Sequence, residues 1–164
     1  MMFESISTLR HDRDVAREQA ILQEAQVLEK VIKGLISVLG GYAHRIPEKR
    51  INPCRRHPFG IEKYFDRYGI VAVDRIDQGW QIILWINGEL GLLRSHAIWD
   101  GQDLIGSTAD YKNISFEDAL GIVSLDTLLF ELDREMEAQK TTLENELQAF
   151  NLRLQRAKQI EEEL

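Results

Sequence analysis

The stretch that decides the fold is QIILWINGELGLLR, residues 81–94. Asn87-Gly88 in its middle is the dipeptide most typical of a two-residue β-hairpin turn, because both central positions of that turn need positive φ. A two-residue turn would place Trp85 opposite Leu90. Both faces of this hairpin are mostly apolar, whereas a sheet solvated on one side alternates apolar and polar residues. We therefore expect an antiparallel β-meander over residues 70–95 that is covered on both faces.

The residues around this hairpin extend the β region. Residues 70–73 form a β-branched run that predicts a strand, and Asp77-Gln78-Gly79 after it predicts a turn. Asp100-Gly101 predicts a further turn within a segment that adds a strand or a loop. Ser115 has the sequence of a capping box after it, which predicts a short helix leading into the C-terminal third.

The N-terminal forty residues have a helical period. The apolar positions are spaced by 4, 3, 4, 3 and 4 residues, which places them on one side of a helix. They are Ile21, Ala25, Leu28, Ile32, Leu35 and Leu39. Gly40-Gly41 ends the helix, since glycine adopts the left-handed conformation of a helix C-terminus. Ser5, Ser7 and Asp12 are all suitable N-caps, so the helix begins either near Asp12 or almost at the terminus.

The C-terminal third is the strongest helical signal in the chain. Residues 124–164 contain neither proline nor glycine, and Ser124 is a suitable N-cap. A first apolar set contains Leu125, Leu129, Leu132 and Met136, and a second contains Leu143, Leu147, Phe150, Leu154 and Ala157. The spacing and the charged flanks are typical of a coiled coil, with a stutter of four residues between the sets.

A helix of 41 residues is about 60 Å long at 1.5 Å per residue, too long for the core of a 19.0 kDa globule to cover. It must pair with the N-terminal helix or with another chain. Because the N-terminal helix is the shorter of the two, we predict self-association as a homodimer or a higher oligomer. The predicted oligomerisation residues are Leu143, Leu147, Phe150 and Leu154.

These elements predict the α+β class, with long N- and C-terminal helices forming a coiled-coil arm and a small antiparallel β-meander between them. The chain divides into an N-terminal helix (1–41), a central head with a basic loop and the β-meander (42–123), and a long C-terminal coiled-coil helix (124–164). This order of elements is similar in outline to that of prefoldin-type chaperone subunits, in which β elements join a coiled-coil hairpin. The similarity is one of topology.

Composition excludes several classes of protein. The chain has 164 residues, 44% of them apolar, so it can bury enough surface to fold. No apolar run approaches a membrane span, so we expect no membrane partner, and nothing at the N-terminus has the form of a secretory signal. A single cysteine, Cys54, favours a reducing cytoplasm. The net charge of −7 argues against indiscriminate coating of nucleic acid.

The charge is unevenly distributed. Residues 42–68 hold seven bases and three acids, a surplus of four positive charges inside an acidic protein. Tyrosine and phenylalanine are interleaved with these bases, and residues 60–68 have the i, i+4 spacing of a short helix. Arginine matches phosphate and carboxylate, so this segment is the predicted partner-binding site. Its residues are Arg50, Arg55, Arg56, Lys63 and Arg67.

The chain lacks the motifs of catalysis. It has no phosphate-binding glycine loop, nucleophile elbow or dinucleotide fingerprint, so we expect no enzyme and no cofactor. His44, Cys54 and His57 lie close in sequence, but a structural zinc site wants four ligands, so no metal is predicted. Acids near the β region fall mostly at turns, where solvation explains them better than cation binding.

Three functions follow from this pattern. The first is a non-enzymatic adaptor or scaffold, which self-associates through its helices and presents the basic loop and β head to a protein partner. The alternative is a dimeric nucleic-acid-binding regulator that contacts phosphates through residues 45–67. The third is a chaperone-like or inhibitory protein that uses acidic helical arms to hold a basic partner.

Overall fold

A computed structural model describes residues 2–39, 42–52 and 60–163 of the chain. The described elements belong to the α+β class, as the sequence predicts. In chain order they are α1 (Met2–Leu39), β1 (His44–Ile51), β2 (Ile61–Ile76), β3 (Trp80–Trp85), β4 (Leu90–Asp100), β5 (Asp103–Ile114), α2 (Phe116–Ile122) and α3 (Leu125–Glu163). A single 3₁₀ turn, Asp77–Gly79, joins β2 to β3 where the sequence predicts a turn.

The sheet is a closed five-stranded barrel, and this corrects the prediction of a simple meander. Each strand pairs with the next in antiparallel fashion, in the order β1-β2-β3-β4-β5. Closure comes from a short ladder in which residues 49–51 of β1 pair with residues 106–108 of β5. Gly106 permits this approach, because a Cβ at its position would lie 2.0 Å from the carbonyl oxygen of Arg50. Closing the barrel removes the two free edges that an open meander would leave.

The short helix expected over residues 60–68 is wrong, because these residues open the long strand β2. They pair with β1, so that Arg50 lies opposite Glu62 and Lys49 opposite Lys63. The strand period of two residues directs Phe65 toward the barrel interior and leaves Tyr68 exposed. Much of the predicted basic loop is therefore β structure.

The β3–β4 hairpin forms where Asn87-Gly88 predicts it, with a register one residue away from the predicted one. Leu84 lies opposite Leu90, whereas a two-residue turn would have placed Trp85 there. The Trp85 N–H donates to the Glu89 carbonyl at 2.9 Å, which leaves three residues in the loop. Gly88 has a φ of +89°, the left-handed position that ends a three-residue loop.

Both faces of the β3–β4 hairpin are covered, as the apolar pattern predicts. The inner cluster fills the barrel and contains Ile46, Ile83, Trp85 and Leu93, with Phe65, Val71, Ala109 and Tyr111 packed against it. The outer cluster lies between the strands and the three helices, and its largest fully buried members are Leu28, Ile32, Leu39, Ile70, Ile82, Leu84 and Leu128. Alternate residues of β3 therefore enter different cores.

Capping fixes where α2 and α3 begin. The Asp118 N–H donates to the Ser115 hydroxyl at 3.0 Å, and the Thr127 N–H donates to the Ser124 hydroxyl at 3.2 Å. Both caps are at the predicted residues. Each satisfies an N–H of the first helical turn that has no partner within the helix.

The two long helices pack only near the barrel. The apolar side of α1 is buried at Ala25, Leu28, Ile32 and Leu39, and α3 is buried at Leu128, Leu132 and Gln139. By contrast, residues 2–20 and residues 140–163 are all exposed. The distal halves of α1 and α3 therefore do not cover each other within one chain. None of the helices among the described residues combines the length and apolar character needed to cross a membrane.

Candidate functional site

Two residues of the predicted partner-binding site, Arg50 and Lys63, lie on neighbouring strands of the β1–β2 surface, which we define as residues 44–51 and 61–68. Arg50 pairs with Glu62 and Lys63 pairs with Lys49, so the Arg50 and Lys63 side chains point to opposite faces of this strand pair. Lys63 is bonded to Glu48 at 3.0 Å, and Arg50 lies 3.8 Å from Glu62. All four side chains remain substantially exposed to solvent. Each of these bases therefore has an acid from the neighbouring strand beside it, and the strand pair does not carry a uniform basic field.

Arg55 and Arg56, also predicted to bind a partner, lie outside the described residues. So do Cys54 and His57 of the considered zinc cluster. The described residues 42–52 and 60–68 hold five bases and three acids, a surplus of two. The other two positive charges of the basic segment therefore belong to Arg55 and Arg56. Within the described residues, no group of three histidine, cysteine or acidic side chains could hold a metal ion.

The structure separates Arg67 from the other predicted residues and engages it at one end of the barrel. Its guanidinium lies over the Trp85 ring, 4.1 Å from the centroid. It donates to the Glu89 carboxylate at 2.6 Å, to the Tyr111 hydroxyl at 2.5 Å and to Asn113 at 3.0 Å. Only 30% of its side chain is exposed. Arg67 therefore contributes to the barrel itself.

This network shifts two pKa values. The pKa of Glu89 is lowered by hydrogen bonding to Asn87 and then to Arg67, since both favour the ionised carboxylate. The pKa of Tyr111 is raised mainly by burial, which disfavours the phenolate. Trp85 donates its indole N–H to the Tyr111 hydroxyl at 2.6 Å, so the neutral phenol joins the aromatic core to Arg67.

The interleaved aromatic residues divide between the two sides of the sheet. Phe65 packs inside the barrel, with its ring centroid 4.9 Å from that of Tyr111 and 5.5 Å from that of Trp85. Tyr64 donates its hydroxyl to Glu62 on the outside. Tyr68 is exposed beside Arg45, whose guanidinium lies 5.8 Å from the ring centroid. Tyr64 and Tyr68 are therefore the aromatic side chains that the β1–β2 surface offers to a partner.

Sequence reasoning missed an apolar cleft between α1, the β3–β4 loop and the start of α2. It has a volume of about 450 Å³, and Ile32, Ile36 and Phe116 are among its lining residues. Lys33 at its rim is bonded to Glu29 at 2.8 Å. The signal in the sequence was the second apolar face of the hairpin, which α1 covers only in part.

The predicted oligomerisation residues form an exposed stripe on the distal half of α3. Leu143, Leu147, Phe150 and Leu154 are between 49% and 62% exposed. Their 4, 3, 4 spacing places them on one side of the helix. We call this set the α3 stripe. No charged or polar side chain occupies any of its four positions.

No family model, no curated protein and no solved structure matches this chain. The two surfaces available for binding are the α3 stripe and the β1–β2 surface.

Proposed function

We propose that this protein is a non-enzymatic adaptor or scaffold of the cytoplasm, which self-associates through its long helices and presents the barrel with its basic β1–β2 surface to a protein partner. The observation that carries the proposal is the α3 stripe. Its leucine and phenylalanine side chains are about half exposed or more and lie far from the barrel. Although α1 has 38 residues and α3 has 39, α1 does not cover them. A continuous apolar stripe on an isolated helix is stabilised when another helix covers it.

The charge pattern of the β1–β2 surface favours a protein partner over nucleic acid. Glu48 and Glu62 lie beside Lys63 and Arg50, so each phosphate brought to these bases would also meet a carboxylate. A protein surface can match such base–acid pairs, and this complementarity sets specificity and association rate. A nucleic-acid-binding regulator is the alternative, supported by the charge of Arg55 and Arg56.

Light scattering after size exclusion tests the self-association directly. We expect a mass of at least two chains of 19.0 kDa at micromolar concentration. Replacing Leu147 and Leu154 together by serine should return the mass to that of one chain. Leu152→Ser is the matched control, because Leu152 is 59% exposed on the same helix but lies off the stripe. A wild-type protein that stays monomeric at every concentration would overturn the proposal.

Charge reversal tests the partner-binding surface. The double variant Arg50→Glu, Lys63→Glu should lose proteins that co-purify with the tagged wild-type chain. Lys112→Glu, an exposed position on β5, is the matched control and should retain them. Nucleic acid recovered with the wild type, with binding that weakens steeply as salt rises, would instead support the alternative. Unchanged partners in the double variant would remove the β1–β2 surface from the proposal.

A further inference from the structure

The α3 stripe differs from the corresponding side of α1 in one respect that decides its partner. Extending the buried side of α1 toward its N-terminus by the same 3, 4, 3 spacing reaches Glu18, Asp14 and His11. Polar and charged side chains at such positions disfavour a helix–helix contact. Over residues 11–18, this side of α1 is therefore a poor cover for the α3 stripe, either within the chain or from another copy.

We propose that the distal half of α3 pairs with the same segment of a second copy, antiparallel about a two-fold axis between Gln148 and Ala149. This inference rests on the proposed self-association and gives it a direction and a register. Residue numbers that face each other across such an axis add up to 297. Leu143 then faces Leu154 of the second copy, and Leu147 faces Phe150 of the second copy. All four stripe residues are covered by apolar partners in this single register.

The charges beside the stripe agree with the antiparallel direction. Residues on the same flank of the two helices face each other in an antiparallel pair. Glu146 and Arg153 lie on one flank, so Glu146 of each copy would meet Arg153 of the other copy. Lys158 on the opposite flank would meet Glu137 of the second copy. Both of these close approaches, two residues from exact register, join opposite charges.

A parallel pair would bring together like charges. In that direction, a residue on one flank meets the opposite flank five residues further along the second copy. Arg153 would then face Lys158 of the second copy. Lys140, one position before the stripe in the heptad, would meet its own counterpart, whereas the antiparallel register places it opposite Ala157. The sequence of α3 therefore discriminates between the two directions.

The two-fold arrangement closes on itself, so it predicts a dimer rather than a filament. Each α3 runs from its barrel at Leu125 to the axis, about 35 Å at 1.5 Å per residue. The two barrels would lie at opposite ends of the helix pair, with the β1–β2 surfaces far apart. One dimer could thus present two partner-binding surfaces at a fixed separation.

A charge swap tests the direction of pairing. Glu146→Arg alone and Arg153→Glu alone should each weaken the dimer roughly tenfold, because each creates two contacts between like charges. The double variant should recover to within roughly threefold of the wild type, because opposite charges meet again. These two residues are seven apart on one helix and do not touch within a chain, so recovery reports a contact between copies. Arg156→Glu, on the outer side of the helix, is the control and should leave the dimer unchanged.

Distances between spin labels test the register. With Cys54 replaced by serine, cysteines at Asn145, Leu152 and Gln159 carry the labels on the outer side of the helix. The labels on the two copies should be offset along the direction of the helices. The offset should be about 10 Å at Asn145 and at Leu152, and about 32 Å at Gln159. A parallel dimer would give the same distance at all three positions.

The outcomes separate the two proposals. A dimer with no rescue by the swap, or with equal distances at all three positions, overturns the antiparallel pairing and leaves self-association standing. A monomer at every concentration overturns both. A dimer that survives Leu147→Ser with Leu154→Ser shows that self-association uses another surface, which also overturns the α3 pairing.

Discussion

Replacing Arg67 by lysine keeps the positive charge and removes the geometry, so it separates a structural role from a partner-binding role. The guanidinium is planar and presents several donors at once, which lets it stack on Trp85 while bonding Tyr111 and Asn113. A lysine ammonium cannot do both. If Arg67 served a partner only through its charge, lysine would be tolerated. The structure predicts that it is not.

The expected loss can be estimated from the contacts. Stacking on Trp85 contributes about 1 kcal/mol. Hydrogen bonds from the charged group to Tyr111 and Asn113 contribute about 1–2 kcal/mol together, after allowance for the exposed third of the side chain. The total is about 2–3 kcal/mol. For a chain of this length, it corresponds to a fall in melting temperature of roughly 5–10 °C.

Thermal unfolding followed by circular dichroism measures this loss. Arg50→Lys is the matched control, since Arg50 has an exposed ion pair at 3.8 Å and should change the melting temperature by no more than about 1–2 °C. An Arg67→Lys variant as stable as the wild type would contradict the structural role of Arg67. An Arg50→Lys variant that loses as much stability as Arg67→Lys would contradict it equally.

Three further predictions concern the same end of the barrel. Gly91→Ala should destabilise the protein by about 1–3 kcal/mol in urea titrations, because the added Cβ would lie 2.3 Å from the Tyr111 ring. Gly34→Ala in α1 is the control: its Cβ would meet nothing within 4 Å, and it should stabilise the protein by up to about 1 kcal/mol. Because burial raises the pKa of Tyr111, absorbance titration should show a tyrosine ionisation above the ordinary range, and Tyr111→Phe should remove that step. An unchanged late step would contradict the assignment. Because the pKa of Glu89 is lowered in the fold, its contribution to stability is present above the ordinary pKa and disappears as pH falls through the lowered one. The melting temperature should therefore fall less between about pH 5 and about pH 3 in Glu89→Gln than in the wild type, and parallel curves would count against this.

The hairpin shows how far the sequence can predict this fold. Asn87-Gly88 identified the turn and the apolar run identified two covered faces. The predicted register was wrong by one residue. A shift of one residue in strand pairing moves every side chain to the other face of the sheet, and the apolar–polar pattern argues against such a shift only where one face is polar. Here Ile82 and Ile83 are both fully buried, in different cores. With apolar surroundings on both sides, the residue pattern holds no information about which side each residue takes.

The barrel closure and the strand over residues 60–68 were beyond local patterns for a different reason. In a short segment, the same apolar residues can satisfy both the i, i+4 spacing of a helix and the alternation of a strand. The choice is made by β1, which pairs with β2 on one side and with β5 on the other. The contact between residues 49–51 and residues 106–108 depends on the missing side chain of Gly106, and nothing near that glycine in the sequence identifies its strand neighbour.

The candidate site was predicted unevenly for related reasons. Arg50 and Lys63 lie on the neighbouring strands β1 and β2, but their side chains point to opposite faces and each has an acid from the adjacent strand beside it. Arg67 was grouped with them because it is near in sequence. The strand carries it to the far end of the barrel, where Trp85 and Tyr111 surround it. Sequence distance is a weak guide along a strand of 16 residues.

The periodicity of α3 predicts more than a supercoil. Met136 and Leu147 are eleven residues apart, which is close to three turns of 3.6 residues, so a straight helix keeps both apolar sets on the same side. The first set packs near the barrel, where Leu132 is buried and Met136 partly so. The second continues on that side beyond the barrel. The corresponding side of α1 becomes charged at Glu18. The two helices therefore differ in whether this side must be covered beyond the barrel. This side of α1 can remain solvated over residues 11–18, whereas the distal half of α3 retains an apolar surface that only another apolar helix matches.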